Sequence, residues 1–141
     1  MSVDHIELWH RRARPNPTLA DFQVQLSCHI EEFNEMLDTL EFKGSWDMLR
    51  RELNRLQRAL REGFETATIL DRKEFLDALA DQVVTAVGTG HCAGMRAADA
   101  VQRVNASNWS KFNEHGEPIR NEHGKIMKGE MYKPPVLDGC Y

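Results

Sequence analysis

The chain has 141 residues, 41% of them apolar and 28% charged, enough for one domain with a core of its own and too ordered in composition for general disorder. A net charge of -4 argues against nonspecific binding to nucleic-acid backbone or to an anionic membrane surface. No apolar run approaches bilayer length and the N-terminus M-S-V-D-H-I-E carries no signal-peptide pattern, so a cytoplasmic, non-membrane protein is expected. Cys28, Cys92 and Cys140 are odd in number, widely spaced and free of any C-x-x-C pair, which suits a reducing compartment and speaks against a disulfide framework or a zinc knuckle. Two N-x-S/T sequons, at Asn105 and Asn108, lack a secretory context and read as incidental.

The first predicted element is a short helix from Asp4 to about Ala13, ended by Pro15-Asn16-Pro17. Thr18 has the character of an N-cap with Asp21 in a box-like position. Beyond it, Leu19, Phe22, Leu26, Ile30, Phe33, Leu37 and Leu40 form one apolar stripe that Lys43-Gly44 closes. Ser45 is expected to cap the next helix, whose stripe is Trp46, Leu49, Leu53, Leu56, Leu60 and Phe64. A further helix begins at Asp71 and reaches roughly Gly94, with Phe75, Leu76, Leu79, Val83, Ala86 and Val87 toward the core. Another runs from about Ala97 to Asn108. After Phe112 the chain turns rich in Gly, Pro and turn formers, and 118–120 and 125–128 are expected to pair as a hairpin around N-E-H-G. The expected fold is therefore all-α: a single helical bundle over 1–141, with antiparallel acidic helices, an N-terminal segment over 1–17 and an extended or hairpin tail over 113–141.

Two helices carry acids in clusters. Glu31 and Glu35 share a face with Glu32 at its flank, and Glu74, Asp77 and Asp81 repeat the device one helix pair later. Both clusters point away from the main stripe of their helix, as a solvated face would, and Glu74 also suits a capping role with Asp71. Against that reading, the first ridge continues into Cys28 and Val24 and the second into Val84 and Gly88. Carboxylates crowded on a partly buried face repel one another unless a cation neutralises them, and hard ions such as Mg²⁺ or Mn²⁺ take oxygen ligands and bridge to phosphates. Pattern alone leaves surface and metal site level.

Four blocks in order resemble the all-α nucleoside triphosphate pyrophosphohydrolases, the MazG-like and phosphoribosyl-ATP pyrophosphohydrolase-like superfamily. E-E-F-N-E at 31–35 is similar to that family's E-E-x-x-E, and E-F-L-D-A-L-A-D-Q-V-V-T-A-V-G-T at 74–89 resembles its second acidic helix. V-N-A-S-N-W-S-K-F at 104–112 resembles a V-x-x-S-N-x-S-K block, and G-K-I-M-K-G-E-M-Y-K-P-P at 124–135 the tail of phage-type members. One departure stands out: Asp81 falls where the Asp of E-x-x-D belongs, yet three residues before it is Ala78. The match Glu74-x-x-Asp77 keeps the letters and shifts the register by a turn.

The resemblance implies hydrolysis between the α and β phosphates of a (d)NTP, releasing a monophosphate and pyrophosphate, with a purine or dGTP preference and a phage nucleotide-pool role as its narrower form. It implies Mg²⁺ or Mn²⁺ held by Glu32, Glu35, Asp77, Asp81 and Glu74, with Glu31 or Glu32 as the catalytic acid that orients or deprotonates water. Lys111 and Lys128 would neutralise phosphate, Asn105 and Asn108 would donate hydrogen bonds, and Trp9 and Tyr132 are the candidates for base contact or a subunit interface. A homodimer or homotetramer in the cytoplasm (the host's, if viral) is implied as well. The alternatives are phosphoribosyl-ATP pyrophosphohydrolase activity and a non-catalytic helical oligomerisation or binding module.

Overall fold

A computed structural model describes residues 3–141 and has five helices: α1 (Val3–Ala13), α2 (Leu19–Asp38), α3 (Asp47–Glu62), α4 (Arg72–Cys92) and α5 (Ala97–Trp109). Among the described residues no strand forms, and no helix is long and apolar enough to cross a membrane. The fold is all-α. The chain divides into two compact units, one built from 16–68 and 120–125, the other from 1–15, 69–119 and 126–141.

In the unit of 16–68, Thr18 caps α2 as its sequence predicts. Its hydroxyl accepts from the Asp21 N–H while the Asp21 carboxylate accepts from the Thr18 N–H, satisfying two otherwise orphan donors. The helix stops at Asp38, short of Lys43-Gly44, because Thr39 turns its hydroxyl onto the Met36 carbonyl and its N–H onto the same turn. Ser45 is not the cap of α3. Trp46 occupies that place without a side-chain bond and packs beside Phe42, at 5.4 Å between rings. Gly63, at φ 79°, ends α3 in the left-handed conformation that glycine adopts without penalty, so Phe64 lies beyond the helix and exposed.

The buried face of α2 differs from its apolar stripe. Leu19, Phe33 and Leu40 are at least half exposed or nearly so, while Gln23, Val24, Ser27 and Asn34 are buried. What α2 presents to α3 is a polar seam. Gln23 holds Ala67 in both directions, Nε2 donating to its carbonyl and Oε1 accepting its N–H, each at 2.8 Å. Ser27 Oγ donates to the Gln57 carbonyl at 2.8 Å, Asn34 Nδ2 donates to Asn54 Oδ1 at 3.1 Å, and Asp38 pairs with Arg50 at 3.0 Å. As positions rise along α2 from 23 through 34 to 38, their partners fall from 67 through 54 to 50, so α2 and α3 run antiparallel.

The other unit is held differently. Trp9, Ala13, Phe112 and Ile126 form a buried apolar cluster with Trp109 packed on it. The Trp9 indole N–H donates to the Asn108 carbonyl at 2.7 Å, fixing α1 against the end of α5. Asp71 caps α4, its carboxylate accepting from the N–H groups of Lys73 and Glu74. The expected core stripe of α4 is not a core stripe here: no residue of this helix is buried, and Leu76, Val83, Val84 and Val87 stand exposed. Among the described residues only Phe75 and Leu79 of the expected stripe are half-buried, so over most of α4 the periodicity marks an exposed face.

After Phe112, Met127 N–H donates to Ile119 O at 2.7 Å, and across the turn Asn121 N–H donates to Lys125 O at 3.0 Å, the hairpin anticipated from N-E-H-G. The final residues lie back on α5. Arg103 donates to the carbonyls of Val136 and Asp138, and the Cys140 carbonyl accepts the Arg96 N–H at the start of that helix.

Candidate functional site

On α2 the acids part company because of the seam. Glu31 lies four residues after Ser27 and three before Asn34, so it falls on the face turned to α3. Its side chain is 20% exposed, and a single oxygen, Oε2, accepts from Arg61 Nη2 at 2.8 Å and from Lys125 Nζ at 2.7 Å. Burial pushes the Glu31 carboxyl up, and the Lys125 and Arg61 cations outweigh it, leaving the group below its ordinary value of 4.5. Glu31 is thus a fixed carboxylate with little tendency to take a proton. Glu32 and Glu35 are exposed on the helix, and neither has an ion pair among the described residues. The same seam leaves Arg61 Nε and Gln57 Oε1 buried without hydrogen-bond partners, one turn apart on α3.

On α4, in the other unit, Glu74, Asp77 and Asp81 are all exposed. Glu74 stands 3.8 Å from Lys73, a loose pair at the helix start. The carboxylates of Asp77 and Asp81 have no ion pair among the described residues, and the Asp81 carbonyl accepts the Thr85 hydroxyl at 2.8 Å. Among the described residues no three His, Cys, Asp or Glu side chains are gathered into a ready-made metal-binding group. The free acids of α2 and α4 are oxygen donors of the kind that hard divalent ions take.

The S-N-W-S-K block ends α5 and grips the tail. Ser107 Oγ donates to the Lys133 carbonyl at 2.6 Å, and Lys133 N–H donates to Ser110 Oγ at 2.7 Å. Asn105 is buried, and the Asn108 carbonyl accepts the Trp9 indole. Lys111 Nζ stands 5.8 Å from the centre of the Trp9 ring, and Lys128 Nζ 5.0 Å from that of Tyr132. Trp9 itself is only 6% exposed, so its indole is committed to packing rather than open to a ligand. His10, beside it, is held below its ordinary value first by burial, then by the charges of Arg14 and Lys111.

Comparison of the chain with family models, curated proteins and solved structures returns no match. What can be said of the site comes from the residues themselves. Sequence reasoning singled out Glu31 and overlooked the two cations that hold it. Arg61 sat in a run of arginines that reads as a solvated face, and Lys125 is the first lysine of G-K-I-M-K-G, where Lys128 drew attention instead. The serines of the S-N-W-S block were likewise passed over, although paired serines one turn apart at a helix end signal side-chain bonding to nearby backbone.

Proposed function

We propose that the chain is a metal-dependent nucleoside triphosphate pyrophosphohydrolase that cleaves a (d)NTP to its monophosphate and pyrophosphate. The observation that supports it most is the division of labour on α2: Glu31 is spent on Arg61 and Lys125, while Glu32 and Glu35 stay unpaired. Unpaired carboxylates on one helix are stable as a solvated surface, and they are also what a cation-dependent site needs before its ion arrives. The order of the four motif blocks supplies the reaction. Mg²⁺ or Mn²⁺ taken up by Glu32 and Glu35 would polarise the α-phosphate and acidify water, and Asp77 and Asp81, with Glu74 as a looser candidate, are further carboxylates of the kind such an ion takes.

Glu32 then suits the role of water-orienting base better than Glu31, whose proton affinity the two cations suppress. Lys128 and Lys111 are the cations we assign to phosphate, Asn108 the amide, and Tyr132 a base contact, while Asn105, buried like Trp9, is closed to a ligand. The half-exposed apolar side chains Phe33, Met36 and Leu40 on α2 and Leu76, Val83 and Val84 on α4 favour a homo-oligomer that covers them. Cysteines that form no disulfide among the described residues fit a cytoplasmic setting.

The test is a panel of ribo- and deoxyribonucleoside triphosphates with Mg²⁺ or Mn²⁺, with products identified. Monophosphate plus pyrophosphate is expected, abolished in Glu35→Ala and in Asp81→Ala while the helical spectrum is kept. Release of orthophosphate, or full activity in either variant, would refute the assignment. Phosphoribosyl-ATP belongs on the same panel, since exclusive turnover of it selects the runner-up reaction.

A further inference from the structure

In the unit that holds α5, Trp109, Phe112 and Met131 line an open cleft of about 490 Å³, with Arg12 and Lys133 also in its wall. That is within the size of small-ligand sites. Its aromatic side is fixed. Phe112 meets the Trp109 ring at 5.6 Å and the Trp9 ring at 5.7 Å, and the Arg12 guanidinium stands 5.6 Å above it. Arg12 is itself tethered, its Nε donating to the Gly116 carbonyl at 3.1 Å.

Two lining groups are not used by the fold. Met131 is 54% exposed and belongs to no buried cluster. Lys133 is anchored through its main chain, by Ser110 at its N–H and by Ser107 at its carbonyl, yet its ammonium has no partner among the described residues. Glu114 and His115, also in the lining, stand 3.5 Å apart. A rigid aromatic wall, a polarisable thioether and an uncommitted cation suit a flat ring that carries an anionic tail.

We propose that this cleft is a nucleobase subsite, in which the base lies against Trp109 and Met131 and the Lys133 ammonium takes the charge of the nucleotide's phosphate. The proposal rests on the hydrolase reading for the identity of the ligand, and moves base contact to Trp109 from Trp9, which is buried, and from Tyr132, which does not line the cleft. Aromatic stacking tolerates every base, so the cleft supplies affinity for a base as such.

The experiment titrates the full chain with the deoxynucleoside 5′-monophosphates and with deoxyribose 5-phosphate, by calorimetry. The monophosphates are expected to bind at least about tenfold tighter than the sugar phosphate. Met131→Glu, at an exposed position that the fold does not use, is expected to erase that difference by placing a carboxylate against the ring. Equal binding of base-bearing and base-free ligands, no binding of either, or a difference that survives Met131→Glu overturns the proposal. Base-dependent binding by a chain that turns over no triphosphate would keep the subsite and remove the hydrolase reading. Turnover with a KM indifferent to Met131→Glu would do the reverse.

Discussion

The α2–α3 pair and the α1–α5 region solve the same problem with opposite chemistry. Around Trp9 and Phe112 the contact is apolar and aromatic, with a single hydrogen bond satisfying the indole. Between α2 and α3 most of the buried side chains are polar: Gln23, Ser27 and Asn34, each aimed at a partner, lie with Val24 and Leu60, and Glu31 carries two cations. Apolar burial is stabilising and indifferent to detail, whereas a polar seam contributes little net stability and demands one register. The candidate metal-binding acids of α2 sit on the helix whose rotation is set by the demanding kind of contact. A slip of α2 by one residue would break Ser27 and Asn34 from their partners and turn Glu32 in and Glu31 out.

The contrast can be broken from the apolar side first. Trp9→Ala removes the largest ring of the cluster and its hydrogen bond, and should cost about 3–5 kcal/mol, read as a lower midpoint in urea unfolding. Glu31→Gln strips the charge from a carboxylate shared by Arg61 and Lys125. We expect a loss of about 2 kcal/mol. On the proposed reading, pyrophosphate release per folded molecule should nonetheless persist, because that reading gives the water to Glu32 rather than Glu31. A variant as stable as the parent would show that the three-charge cluster is not a structural anchor. Ser27→Ala, which deletes one bond to the Gln57 carbonyl, should cost about 1 kcal/mol in the same unfolding assay.

Acid should separate the two regions with the smallest effects. His10 and Glu31 are both held below their ordinary values, so each favours the fold when deprotonated and loses that contribution as pH falls. For His10 the loss begins as pH drops below its ordinary 6.5, and for Glu31 it begins below 4.5. Stability measured against pH should therefore fall in two windows. His10→Gln should flatten the upper window alone, and Glu31→Gln the lower. A single window that both substitutions alter equally would contradict independent causes.

Much of the helical frame was legible in the sequence because its ends are local chemistry. Thr18 with Asp21, and Asp71 with Glu74, announce helix starts through bonds that span three residues, and N-E-H-G announces its own turn. The burial of α2 was not legible. Periodicity says that Leu19, Phe33 and Leu40 share a face, and is silent on what that face meets. Nor does a serine or asparagine advertise that an acceptor on another helix awaits it, so nothing in the sequence marks Gln23, Ser27 and Asn34 as a buried ridge. For the site, the acids stood out by type and spacing. The cations that sort them did not, because Arg61 lies 30 residues from Glu31 and Lys125 lies 94 away.

That last separation sets an order on how the chain matures during synthesis. Helices α2 and α3 can meet as soon as both exist, with Glu31 held by Arg61. The second cation arrives only once the hairpin has been made. The Trp9 indole likewise waits for Asn108, 99 residues later. The stretch that carries α2 and α3 therefore emerges with its acids displayed and Glu31 held by one cation, and both the second ion pair and the Trp9 bond wait for residues made much later.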